Sequence, residues 1–324
     1  MPNLITHALF AEDMLERVPA SVQEWLQPRA HLFGVGSNGP DFLFFHGRSK
    51  LNPIHSSPLQ SYGNHLHAGH VNDFYQSAMA SIRKEKDAVI KADMTAYVCG
   101  HLCHWALDST AHPYVFYRTG TCKGKDAWYH HRMESILDSI MLKIKHGETI
   151  ESFYTPDIAK CTLEEARAVS RVYVPAICDI FNVKIKPHLI LDSLNDWHGI
   201  QELEYDPSGK KIEFLQNLER VSNQKNAYSG YIVPNAPEDD YDVCNLLHKE
   251  WLHPCTDAVS TDSFLDLYDQ ALNKASKVIS LFLDALYHPA KEKDFFEFVA
   301  DDNYNLGIHE DLPMKNFDIC TFDF

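Results

Sequence analysis

The residues of this chain best suited to chemistry fall in Gly100-His-Leu-Cys-His-Trp-Ala-Leu-Asp-Ser-Thr-Ala-His-Pro113 and, after a short gap, in His130-His-Arg-Met-Glu134. On a helix, His104, Asp108 and His112 stand at i, i+4 and i+8, and His130 and Glu134 repeat the i, i+4 spacing on a second helix. Two such helices facing each other present one dense set of metal ligands. A helix rises about 1.5 Å per residue, which puts the backbones of His104 and His112 roughly 12 Å apart, too far for one ion to take both easily. Asp108 lies between them and can give one oxygen to each of two ions, with His104 serving the first and His112 the second. Imidazole and carboxylate are zinc's usual ligands outside thiolate sites, and paired ions about 3.5–4 Å apart recur in phosphate-ester cleavage. The spacing therefore points to metal-assisted phosphoester hydrolysis.

The elements that must position these groups are helical. Leu4, Ile5, Ala8, Met14 and Leu15 recur at helical spacing and predict a first helix over 3–17 that carries His7. An apolar helix over 29–35 leads into the turn-rich Gly36-Ser-Asn-Gly-Pro-Asp41, which delivers Asp41 in a loop beside the aromatic run Phe42 to Phe45. After a polar loop over 49–61, residues 64–84 read as one helix with His67 in its first turn. Residues 92–111 and 127–146 form the two ligand-bearing helices. Pro113 is expected to end the first of them, leaving His112 at a free end able to swing. Thr162 with Glu165 predicts a capping box, and Pro175 a kink in the helix that follows. Residues 187–203 read as a further helix, 204–242 as an excursion of turns and an acidic loop with room for a short hairpin, and Phe264 to Tyr287 as a long amphipathic helix. Strand signals are nearly absent, so the expected fold class is all-α, a multi-helix bundle with a metal cluster in its core. Residues 1–203 would form the zinc-binding catalytic core, and 204–324 would pack on it as part of the same domain.

A chain of 324 residues with 45% hydrophobic content can bury a substantial core. Its net charge of −16 argues against a passive nucleic-acid groove and a polybasic membrane anchor. No stable nucleic-acid partner is expected. No segment has the roughly 20 apolar residues of a membrane span, and the first residues lack the pattern of a signal peptide. A soluble, cytoplasmic protein without integral membrane association is therefore expected. The eight cysteines read as reduced thiols, with Cys99 and Cys103 packed one helical turn apart. Phe42, Phe44, Phe45 and Trp105 could shape a pocket for a base or a choline-like cation, or fill the core.

Taken in order along the chain, Thr6-His7, Gly39-Pro-Asp41, His67, His104-xxx-Asp108-xxx-His112 and His130-xxx-Glu134 resemble the zinc-dependent phospholipase C family, which is related in fold to the P1-type nucleases. The resemblance runs from Met1 to about Glu134, under half of the sequence. It implies two to three zinc ions in a helical bundle and cleavage of phosphodiester bonds. Asp41, His67, His104 and Asp108 would hold the first zinc, and His112, His130 and Glu134 the second. Asp108 and His7 would take a third with the N-terminal amine and carbonyl. In secreted members these belong to a processed Trp. This chain begins Met-Pro, so Met1 or, after its removal, Pro2 would substitute, and the third metal would be the labile one. Of His65, His67 and His70, the resemblance selects His67. His101 is expected to orient a ligand, and His131 to point away. Asp41 would also be catalytic, orienting a zinc-acidified water or taking its proton as the water attacks phosphorus in line. The implied activity is that of a phospholipase C-like phosphodiesterase acting on a small phosphoester or a phospholipid head group. Two alternatives stay open at this point: a P1-type nuclease or nucleotidase, and a non-catalytic protein that its metal stabilises.

Overall fold

Apolar residues at helical spacing shape nearly every element of the computed structural model, which describes residues 4–236 and 240–322. The helices are α1 (Leu4–Arg17), α2 (Ala20–Leu26), α3 (Ala30–Gly36), α4 (Pro58–Ala68), α5 (Val71–Lys84), α6 (Ala88–Thr119) and α7 (Lys125–His146). They continue with α8 (Pro156–Ala159), α9 (Leu163–Phe181), α10 (Pro187–Glu204), α11 (Lys210–Ser222), α12 (Phe264–Tyr287) and α13 (Glu292–Val299). The strands among the described residues are β1 (Trp251–Leu252) and β2 (Val259–Ser260), an antiparallel pair in which Trp251 faces Ser260. The fold is all-α. Met1 and Pro2, the candidates for an N-terminal metal ligand, lie outside the described residues.

The axis of the bundle is α6, buried on all sides from Met94 to Ser109 and apolar apart from a few polar residues that include His101, His104 and Asp108. Asp87 starts it by accepting from the amides of Val89 and Ile90. Around it pack α1, α3, α7, α9 and α12, and one hydrophobic core runs from Leu4 to Phe322. The crossing of α3 over α6 is backbone against backbone. A Cβ on Gly100 would collide with the Phe33 carbonyl, and one on Gly36 with the Tyr97 carbonyl.

Three elements differ from the sequence reading. Pro113 lies inside α6, which continues to Thr119, so His112 sits at no free end. Proline leaves the carbonyl four residues back without its helical donor. That carbonyl, on Ser109, is covered by Gly307, which approaches so closely that a Cβ there would clash. The predicted helix over 64–84 is two helices, broken at Gly69 and at His70, whose φ is 61°. His67 therefore occupies the last turn of α4 rather than a first turn. The stretch over 204–242 holds α11 where only turns were expected, and the short hairpin comes later, at β1 and β2. The capping box of Thr162 and Glu165 forms, as does a second made by Ser263 and Asp266 on α12. All eight cysteines are free thiols. No helix among the described residues is long and apolar enough to cross a membrane.

Candidate metal centre

Four segments converge on one side of α6: α1 brings His7, the 3₁₀ turn Asp41–Phe45 brings Asp41, the end of α4 brings His67, and α7 brings His130 and Glu134. Each is held by its own device. Asp138 accepts from the Ile5 amide (3.1 Å), the Thr6 amide (2.8 Å) and the Thr6 hydroxyl (2.7 Å), which fixes the first turn of α1 and with it His7. The turn before Asp41 is tied to α6 by the Tyr97 hydroxyl donating to the Gly39 carbonyl (3.2 Å). Gly39 has φ 54° and lies against the His104 imidazole, where any Cβ would overlap the ring. Only glycine fits both conditions.

All eight sequence-selected residues are buried, and they form three groups whose donor atoms lie within 4.8 Å of one another: His7, His104 and Asp108; Asp41, His67 and His104; His112, His130 and Glu134. Asp108 Oδ1 faces His7 Nε2 (3.1 Å), while Oδ2 faces both His104 Nε2 (3.1 Å) and His112 Nδ1 (3.5 Å). His7, from a different helix, thus takes Oδ1, and both imidazoles of α6 lie toward Oδ2. His112 instead turns its Nε2 to Glu134 Oε1 (3.5 Å), which also faces His130 Nε2 (3.1 Å). His67 Nε2 lies 2.9 Å from Asp41 Oδ1.

Hydrogen bonds on the far side of three rings select their tautomer. His67 Nδ1 donates to the Gly63 carbonyl (2.8 Å) and His112 Nδ1 to the Tyr304 carbonyl (3.1 Å). Thr119 gives its own proton to the Val115 carbonyl (2.7 Å), so it can only accept from His130 Nδ1 (3.1 Å). In each case Nε2 is left as a bare lone pair aimed at a carboxylate oxygen. Two acceptors facing each other in a buried site repel unless a proton or a cation lies between them. Both oxygens of Asp41, Oδ2 of Asp108, both nitrogens of His104 and Nδ1 of His7 are buried without a hydrogen-bond partner. Donor atoms around a tetrahedral zinc stand roughly 3.4 Å apart; the imidazole–carboxylate pairs here run from 2.9 to 3.5 Å, and all donors of each group lie within 4.8 Å. The donor set fits zinc.

Burial pushes the Asp41 carboxyl up, with His67 opposing. Burial acts in the same sense on Asp108, but the imidazoles of His104, His112 and His7 outweigh it and hold that carboxyl well below the ordinary range. Glu134 is likewise lowered, burial being outweighed by contributions that include His130 and His112, and burial keeps His104 neutral.

The centre opens on a narrow cleft of about 70 Å³, room for a few waters or one phosphoryl group. Asp41, Glu134 and Asp138 line it, together with Phe45, Trp197, Glu204, Asp206 and Tyr231. Two expectations are corrected here. His131 does not point away: it is buried, stacks on Tyr231 (ring centroids 4.3 Å apart) and reaches within 3.8 Å of Glu134 Oε2. His101 orients no ligand, because its two nitrogens are taken by the hydroxyls of Tyr75 and Tyr173 (3.0 Å each) and burial pushes its pKa down to about 3. Of the aromatic candidates, Phe45 lines the cleft and Phe44 packs on His67, whereas Phe42 packs on Tyr173 and Trp105 lies under the Lys274 ammonium, hydrogen-bonding the Asp302 carbonyl.

Sequence reasoning missed Asp138, Glu204, Tyr231 and Tyr304. Asp138 had a signal, since it continues the His130, Glu134 spacing by one more turn of α7. The others had none. No family profile, curated protein or solved structure matches this chain.

Proposed function

We propose that this chain is a zinc-dependent phosphoric ester hydrolase on a phospholipase C / P1 nuclease-like helical bundle. The observation that carries this reading is the confrontation of buried carboxylate oxygens with imidazole lone pairs, which cations among them would relieve. His7, Asp41, His67, His104, Asp108, His112, His130 and Glu134 would hold two to three zinc ions, with His104 shared between two of the three groups. Bound zinc would supply Lewis acidity, acidifying a water molecule and neutralising charge on a phosphoryl group.

The chain's own residues do the rest. Asp41 borders the cleft and is placed to orient that water or to take its proton. Gly63, Thr119 and Tyr304 hold three imidazoles in the tautomer that keeps their lone pairs turned inward. The net charge of −16 disfavours a polyanionic nucleic acid, and the small size of the cleft favours a small phosphoester or a phospholipid head group. Access from the cleft to Asp41 and Glu134 favours catalysis over a purely structural metal, whose coordination shell would be closed. The eight free thiols favour a reducing compartment such as the cytoplasm.

Elemental mass spectrometry on protein purified without chelator should find two to three zinc per chain, and bis(p-nitrophenyl) phosphate should be turned over in a chelator-sensitive way. Asp108→Asn should lose zinc and lower turnover at least ~100-fold. A folded, zinc-free protein that takes up no added zinc would reject the proposal, as would an Asp108→Asn variant that keeps both metal and activity.

A further inference from the structure

Away from the metal ligands, α11 turns only Glu219 fully inward. Phe214, Leu218 and Val221, at i, i+4 and i+7 on one face, are 63%, 52% and 89% exposed. The loop before α4 adds Leu51 and Ile54, 98% and 76% exposed. Phe214 and Ile54 both line an apolar groove of about 480 Å³, whose walls also include Leu203, Leu215, Tyr228 and Ile232. The groove adjoins the cleft of the metal centre, sharing Glu204 and Tyr231 with it. A monomeric protein rarely leaves so many large apolar side chains uncovered together.

Charge says what covers them. In a chain of net charge −16, the segments 46–55 and 209–228 carry Arg48, Lys50, Lys210, Lys211, Arg220 and Lys225 against Glu213 and Glu219 within them, with Lys50 paired to Glu202 (2.8 Å) and the Lys211 ammonium donating to the Leu203 and Tyr205 carbonyls. Glu219 is buried, accepting from the amides of Asn226, Tyr228 and Ser229 and from the Ser229 hydroxyl. An amphipathic helix with cations beside an apolar face is the pattern of a helix lying in an anionic membrane interface. A second copy of the same face would set cation against cation. A bilayer accepts side chains that project separately from a helix and a loop, with no need for a complementary surface.

We propose that α11 and the 48–54 loop form a docking surface for an anionic lipid bilayer, with the groove open to the lipid. Docking needs no metal and does not rest on the hydrolase reading. If that reading also holds, the surface brings the cleft to the membrane, where phosphoesters of lipids are presented.

The test is sedimentation of the full chain with vesicles of phosphatidylcholine alone and of phosphatidylcholine mixed with phosphatidylglycerol. The expected result is binding to the mixed vesicles that weakens with salt, and little binding to the neutral ones. Phe214→Glu and Val221→Glu, both at exposed positions, should each weaken binding about tenfold with an unchanged thermal midpoint. Lys210→Ala should weaken it about fivefold. Asp108→Asn should bind vesicles as wild type does, so failed hydrolysis with intact docking would reject only the hydrolase proposal. Absence of binding to anionic vesicles would overturn the docking surface, and so would glutamate variants that bind like wild type. A dimer that Phe214→Glu dissociates, or capture of an acidic amphipathic peptide, without vesicle binding, would assign the face to a protein partner and overturn it equally.

Discussion

Asp108 shows how one side chain sets the character of a site. Its two oxygens face three imidazoles from two helices, and it is the one carboxylate that touches both ends of the ligand row on α6. At the cleft wall, Glu204 offers a different handle. Burial pushes its carboxyl up to about 8, with Arg48 pulling the other way. An unfolded chain releases that proton near the ordinary value of 4.5. Between the two values the folded chain holds a proton that the unfolded chain has lost. The stability this group contributes is therefore fully present below about pH 4.5 and disappears as the pH rises through about 8. The wild-type thermal midpoint should fall between about pH 4.5 and 8 more steeply than that of Glu204→Gln. Parallel profiles for the two proteins would show that Glu204 titrates normally.

At the scale of elements, the crossing of α3 and α6 fixes where His104 and Asp41 meet, because Gly36 lies at the end of α3 and the Asp41 turn follows directly. Gly100→Ala forces a methyl group into the Phe33 carbonyl and should cost about 3 kcal/mol in chemical denaturation, the upper range for overpacking. Gly199→Ala makes the contrast. Gly199 lies in α10 with open space where its Cβ would stand, so the same substitution should stabilise by about 0.5–1 kcal/mol. Equal effects at the two positions would mean that the crossing is looser than the close approach of the backbones requires.

Over the whole molecule, the candidate metal centre lies where α1, α4, α6 and α7 meet, so a metal bound there would be linked to folding. Without cations, carboxylates buried against lone pairs repel one another and the native state loses stability. Chelation should lower the thermal midpoint by several degrees, and stoichiometric zinc should restore it. A midpoint indifferent to chelator and to zinc would separate the fold from any metal.

Local spacing made much of this legible in the sequence. The helical class, the long amphipathic α12, the capping box at Thr162 and the shared face of His104, Asp108 and His112 all follow from a period of 3.6 residues, which acts within one segment. The resemblance to zinc-dependent phospholipases singled out His7, Asp41 and His67, which the structure buries beside that face. What local rules could not reach is what distant segments do to one another. Pro113 stays inside α6, and the Ser109 carbonyl that it leaves without a helical donor is packed against Gly307, far along the chain. His7 meets Asp108 Oδ1 because Asp138 anchors α1 against α7. The tautomer of His112 is set by the Tyr304 carbonyl, in a C-terminal stretch whose composition carries no signal. The sequence by itself determined most of the helices and which ligands share a face of α6 and of α7, since those depend on neighbours within a few turns. Only the tertiary structure decided which oxygen meets which imidazole and which apolar face is left uncovered, since those depend on how separate segments pack, as where His7 meets Asp108.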